Sequence, residues 1–160
     1  MNDSARSLWQ AYLHTCRETP ESTAKTCTAW HFCNNEQDAD ELAALVRQGR
    51  KRATASCGWV YELEEQPLPK VGDHSVILDW RGRAQCVIQT TRIDTIPFEE
   101  VPEDFARAEG EGDLSLEYWR RGHWTFFSLE LRALGREPDP RMPILCERFE
   151  VVFDKAGSPA

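Results

Sequence analysis

The chain has little of what would mark it for a membrane, a metal or a nucleic-acid duplex. No apolar run among its 160 residues approaches the roughly 20 that a membrane span requires. Its N-terminus is polar (Asn2, Asp3, Ser4, Arg6) and lacks a signal-peptide core, so a cytoplasmic protein with no membrane partner is expected. The six cysteines, Cys16, Cys27, Cys33, Cys57, Cys86 and Cys146, form no Cys-x-x-Cys pair, and His14, His31, His74 and His123 are isolated from one another. That pattern argues against a zinc site and predicts reduced core thiols; no metal or cofactor is expected. Positive charge is scarce too, with 19 Lys and Arg against 27 Asp and Glu and a formal net charge of −8. A surface that grips duplex nucleic acid non-specifically is broadly basic, and this composition excludes one. The basic residues that stand together are Arg47, Arg50, Lys51 and Arg52, and the pair Arg120-Arg121.

What remains is an ordinary soluble domain, 41% hydrophobic and 29% charged, of a length that suits one core. Leu8, Trp9, Tyr12, Leu13 and Cys16 recur at helical spacing over residues 4–16, with Asp3 or Ser4 as the cap. Thr26 to Cys33 reads as a strand. Asn34 or Asn35 caps a second helix with apolar positions Ala39, Leu42, Ala43 and Val46, and Gly49 stops it. Strands are expected over Thr54–Glu62, Ser75–Trp80 and Ala84–Asp94, the last two joined by the Arg81-Gly82-Arg83 turn. Residues 97–112 read as an acidic surface loop with at most a short helix at Phe105. A long helix from about Asp113 to Leu134 follows, and Cys146–Phe153 is a final strand. Strands with helices inserted at two places predict an α+β fold: a small β-barrel of five or six strands with helices on its side.

The chemistry concentrates at Gly49-Arg50-Lys51-Arg52-Ala53-Thr54-Ala55-Ser56, where the second helix gives way to a strand. A glycine helix stop running straight into β-prone residues fixes the backbone where the polar side chains emerge. A lysine beside a hydroxyl there can bind an anion or activate the hydroxyl as a nucleophile; a charged helix end without function explains the same letters. Since residues three apart on a strand face opposite sides, Lys51 must sit at the bend itself for the two to meet.

Five collinear blocks carry a resemblance. They are Ala39-Asp40-Glu41-Leu42-Ala43 leading to Gly49–Ser56; Pro69-Lys70-Val71-Gly72-Asp73; Phe105-Ala106 with Glu109-Gly110-Glu111-Gly112-Asp113; Trp119 with His123 and Phe126-Phe127; and Cys146-Glu147-Arg148-Phe149-Glu150. In this order the chain resembles the ASCH family, a branch of the PUA-like β-barrel superfamily. The resemblance divides it into an N-terminal helical extension (1–25), an ASCH domain (26–153) and a flexible C-terminal tail (154–160). It implies a cleft associated with RNA or modified nucleosides. Some small bacterial members are amidohydrolases of N4-acetylcytidine that use a lysine, a threonine and a glutamate. Here Lys51 and Thr54 match the first two, Glu109 is the first choice for the third, and Glu111 is the second. Other members are single-strand ribonucleases that use the same lysine and a serine on the long helix, whose place Ser128 can occupy.

The remaining candidates are weaker. Arg50 belongs to the basic patch, and Trp59 or Tyr61 can line the cleft as a flat partner for a pyrimidine, though on a strand both are more simply core residues. Without the resemblance, Glu109 is a solvated acid on an acidic loop. His123 reads as a packing residue with no catalytic role. An acidic protein with a small basic cleft suits a nucleoside better than a polymer, which needs many phosphate contacts. The expected function is therefore metal-independent hydrolysis of an N4-acylated cytidine nucleoside or nucleotide. The alternative is binding or cleavage of single-stranded RNA in the same cleft, and the third reading is a non-catalytic binding protein. The sequence leaves the oligomeric state open.

Overall fold

The computed structural model describes residues 1–156, so most of the tail expected over 154–160 lies outside the described residues. Its elements in chain order are α1 (Asp3–Thr15), β1 (Cys27–Trp30), α2 (Glu36–Arg47), β2 (Ala53–Cys57), α3 (Gly58–Leu63), β3 (His74–Leu78) and β4 (Ala84–Pro97). A 3-10 turn (Phe98–Glu100), α4 (Glu103–Glu109), α5 (Leu116–Ala133) and β5 (Pro143–Asp154) follow. The five strands form one mixed sheet in the order β1-β3-β4-β5-β2. β1 runs parallel to β3, while β3 pairs with β4 and β2 with β5 antiparallel. The described residues fold as two compact units, 52–70 with 92–148 making one, and 1–51, 71–91 and 149–156 the other.

In the first unit, β3 is covered on both faces. α1 brings Ala5, Trp9, Tyr12 and Leu13 against Val76, Leu78 and Val87. α2 brings Leu42, Leu45 and Val46 against Ile77, Cys86 and Ile88. That double burial explains why Val76-Ile77-Leu78 is a continuous apolar run rather than an alternating one. α2 starts as expected, with the Asn35 side chain accepting from the Asp38 N–H. α1 does not: Asn2 rather than Asp3 or Ser4 is its cap, accepting from Ala5 N–H, and Ser4 Oγ instead accepts from Ala84 N–H at 2.9 Å.

The second unit packs α3, α4 and α5 around a core that includes Ala53, Phe98, Phe105, Trp119, Phe127, Leu131, Ile144 and Cys146. α5 begins at Leu116, where Ser115 accepts from Tyr118 N–H; Asp113 lies before the cap. Two expectations fail here. The strand predicted over Thr54–Glu62 ends at Cys57, and Trp59 and Tyr61 lie on α3, not on a strand. Trp59, Val60 and Tyr61 are β-prone, but leaving the strand direction lets Trp59 and Val60 pack against the core cluster, and that burial overrides local preference. Likewise Glu109 is no solvated loop residue. It closes α4 and is 1% exposed.

Candidate active site

Lys51 belongs to the first unit. Gly49 takes φ +69°, a left-handed conformation that β-carbon sterics make costly for other residues, and the chain folds back on the end of α2. Arg50 and Lys51 both donate their backbone N–H to Leu45 C=O, at 3.0 and 3.1 Å. Arg50 emerges exposed, whereas the Lys51 side chain is driven inward to 1% exposure, with Nζ 5.1 Å from the centre of the Phe32 ring. Lysine is almost never so buried without a specific reason.

The other candidates belong to the second unit. Thr54 is half-buried on β2, and its register partner on β5 is Glu147. Its neighbours Ala53 and Cys57 point into the core, so the alternation of the strand turns Thr54 to the opposite face. Glu109 ends α4, and Gly110 at φ +72° terminates the helix behind it. Both Trp119 and His123 reach the same oxygen of Glu109: the indole N–H donates to Oε1 at 3.0 Å, and His123 Nε2 lies 3.3 Å from it. The two segments meet along the backbone, because Arg52 N–H donates to Ala108 C=O at 2.8 Å. The residue two before Thr54 is thus bonded to the residue just before Glu109.

Glu111, two residues on, is half-buried. Ser128 is 5% exposed on α5, and its Oγ has no hydrogen-bond partner among the described residues. One face of Trp59 is already covered by the Arg136 guanidinium, 3.6 Å from the ring centre. Tyr61 is half-buried, and burial raises its hydroxyl above the usual range. A cavity of about 480 Å³ opens in this unit, lined by Arg92, Asp94, Asp104, Phe105, Cys146 and Arg148. Its charges are paired internally, Arg92 with Asp94 at 2.7 Å and Arg148 with Asp104 at 2.6 Å. Burial, reinforced by Glu109, pushes the Cys146 thiol up to about 12, so it carries no thiolate to attack with. Burial raises Cys57 as well.

Trp119 and His123 as partners of Glu109, and Glu147 opposite Thr54, were not assigned from sequence. The Trp119/His123 spacing of four places both on one helix face, but nothing in the local pattern says that Glu109 meets that face.

Comparison with known proteins decides the family. The ASCH domain profile matches residues 28–153. The chain belongs to the ASCH domain family. An ASCH domain from Lactobacillus crispatus JV V101 is 34% identical, with 96% of each chain covered and a TM-score of 0.89. Protein EF3133 from Enterococcus faecalis V583 is 33% identical over 96% of this chain and 91% of its own, with a TM-score of 0.85. No curated protein matches the chain. The fold is therefore the α+β, PUA-like ASCH fold with five strands, a fold of RNA-binding and hydrolase type.

Proposed function

We propose that this ASCH protein is a hydrolase that removes the acyl group from N4-acetylcytidine-type nucleosides, with Lys51, Thr54 and Glu109 as its working residues. The observation that carries the reading is the burial of two ionisable side chains, Lys51 and Glu109, each 1% exposed. Burying charge is costly, and groups held that way cluster where chemistry is done.

The roles follow from what amide hydrolysis needs. Thr54 Oγ attacks the acyl carbon while Lys51 Nζ takes its proton. The C–N bond breaks as a proton reaches N4 from Glu109, leaving cytidine and an acyl-threonine. Water then adds to the acyl carbon, giving one proton back to Glu109, and Lys51 returns its proton to Thr54 Oγ as the ester bond breaks. The sum is amide plus water giving cytidine and a carboxylic acid. In this scheme Lys51 acts as the neutral amine, and its side chain is 1% exposed beside the Phe32 ring.

Purified protein incubated with N4-acetylcytidine and, separately, with single-stranded RNA tests the reading by mass analysis of products. Cytidine and acetate are expected from wild type and not from Thr54→Ala, with the RNA intact in both. RNA cleavage that disappears in Lys51→Ala, without any deacylation, overturns the proposal in favour of a ribonuclease.

A further inference from the structure

Glu109 is not a lone acid. Its Oε1 accepts from Trp119 Nε1–H and lies 3.3 Å from His123 Nε2. The other ring nitrogen of His123, Nδ1, is 2.9 Å from the backbone carbonyl of Trp119, one helical turn back. A carbonyl oxygen only accepts, so Nδ1 carries a hydrogen. The ring is held in that orientation by stacking on the Trp119 indole, with centroids 4.2 Å apart and planes 16° from parallel. With Nδ1–H fixed, the bond between Nε2 and Oε1 needs one proton, and either atom can carry it: a carboxylic acid facing a neutral imidazole, or a carboxylate facing an imidazolium. Glu109 is 1% exposed, whereas the His123 side chain is 16% exposed and reaches solvent.

The geometry points to His123 as the proton-relay partner of Glu109, holding the one proton that Glu109 delivers to the departing N4 and passing the next one in from water. This rests on the hydrolase reading above. The proton leaves Oε1 for N4 as the C–N bond breaks, so the pair becomes a carboxylate and a neutral Nδ1–H imidazole. The proton shed by the hydrolytic water restores it. His123 acts through Glu109 and is a positioning residue; it need not touch the substrate.

Two measurements test it. His123→Gln keeps a donor beside Glu109 but cannot store a proton. It is expected to slow release of cytidine from N4-acetylcytidine about a hundredfold, the range of general acid catalysis. It should leave the pre-steady-state burst of p-nitrophenolate from p-nitrophenyl acetate, which reads acylation alone, within about threefold of wild type, since p-nitrophenolate departs without protonation. Equal losses on both substrates would mean a merely structural role and overturn the relay. Independently of activity, long-range proton–nitrogen spectra of histidine-labelled protein should show His123 Nδ1 protonated and an Nε2 resonance that moves in Glu109→Gln. An Nε2–H tautomer with bare Nδ1, or an Nε2 resonance indifferent to Glu109→Gln, overturns the shared proton. Wild-type protein that leaves N4-acetylcytidine untouched sinks the hydrolase reading instead, and the dyad is then judged on the Nε2 resonance alone.

Discussion

At the scale of single residues, the proposed site turns on what Lys51 does. Lys51→Arg keeps the positive charge but replaces an amine that can deprotonate by a guanidinium that does not. If Lys51 is the base, Lys51→Arg should be as inactive on N4-acetylcytidine as Lys51→Ala, with kcat down by at least about a hundredfold. Arginine that retains most of the activity would make Lys51 an electrostatic stabiliser and move the base to a carboxylate. Glu147, the register partner of Thr54, would then be the first to test. Thr54→Ala should keep the fold, because Thr54 lies off the core and contributes little packing. Circular dichroism and the midpoint of thermal unfolding, near those of wild type, separate lost chemistry from lost structure. Lys51 and Thr54 were readable as a motif because a helix stop followed by a strand is a local event. Glu109 was not: an acid among acids on a Pro-rich stretch has no local mark of burial, and Trp119 and His123, which meet its carboxylate, lie ten and fourteen residues away.

At the scale of elements, the helices with caps and regular apolar spacing were legible, and the short one was not. α2 has its cap at Asn35 and its stop at Gly49, both in the sequence. α3 is six residues without a side-chain cap, its centre Trp59-Val60-Tyr61 made of residues that favour strands, and its packing is what reveals it. The end of α4 bears on the proposed function. Gly110 at φ +72° lets the helix stop immediately behind Glu109, so Gly110→Ala should cost about 1–2 kcal/mol of stability and displace the Glu109 carboxylate. Denaturant unfolding reads the first effect, and loss of deacylation beyond that explained by unfolding reads the second. α1 offers a pH test of the first unit. Where α1 meets β3, Tyr12 Oη lies 3.3 Å from His74 Nε2. Burial raises the Tyr12 hydroxyl to about 12, so it stays protonated and can donate to a neutral imidazole. Burial, followed by the charge of Lys25, lowers the His74 pKa below its ordinary 6.5. The unfolded chain therefore binds a proton at His74 before the folded chain does. This contribution to stability is intact above about pH 6.5 and is lost as pH falls toward the folded value. Denaturant midpoints between pH 7.5 and 5 should fall in wild type and fall less in His74→Phe; equal slopes in the two would remove His74 as the cause.

At the scale of the whole molecule, charge separates a nucleoside enzyme from a binder of RNA chains. The net charge is −8, and internal partners already engage several of the cations. Arg47 pairs with Asp154 at 2.8 Å, Arg148 with Asp104 at 2.6 Å, and Arg120 donates to the Glu99 carbonyl at 2.7 Å. A single strand bound through its phosphates releases counterions, so the logarithm of its affinity falls with the logarithm of salt by about 0.7 per phosphate engaged. With so few uncommitted cations, single-stranded RNA should bind weakly and with a slope shallower than about −2, equivalent to about three phosphates. Turnover of an uncharged nucleoside loses no counterions, so KM for N4-acetylcytidine should change less than about twofold between 50 and 200 mM salt. Fluorescence anisotropy of a labelled RNA and steady-state kinetics across that salt range measure the two quantities on the same preparation. A slope of about −4 or steeper would require about six phosphate contacts, more than a nucleoside pocket needs, and would make the polymer the natural ligand. A flat salt response in both experiments, with measurable deacylation, is the pattern that an acidic protein acting on a small neutral substrate must show.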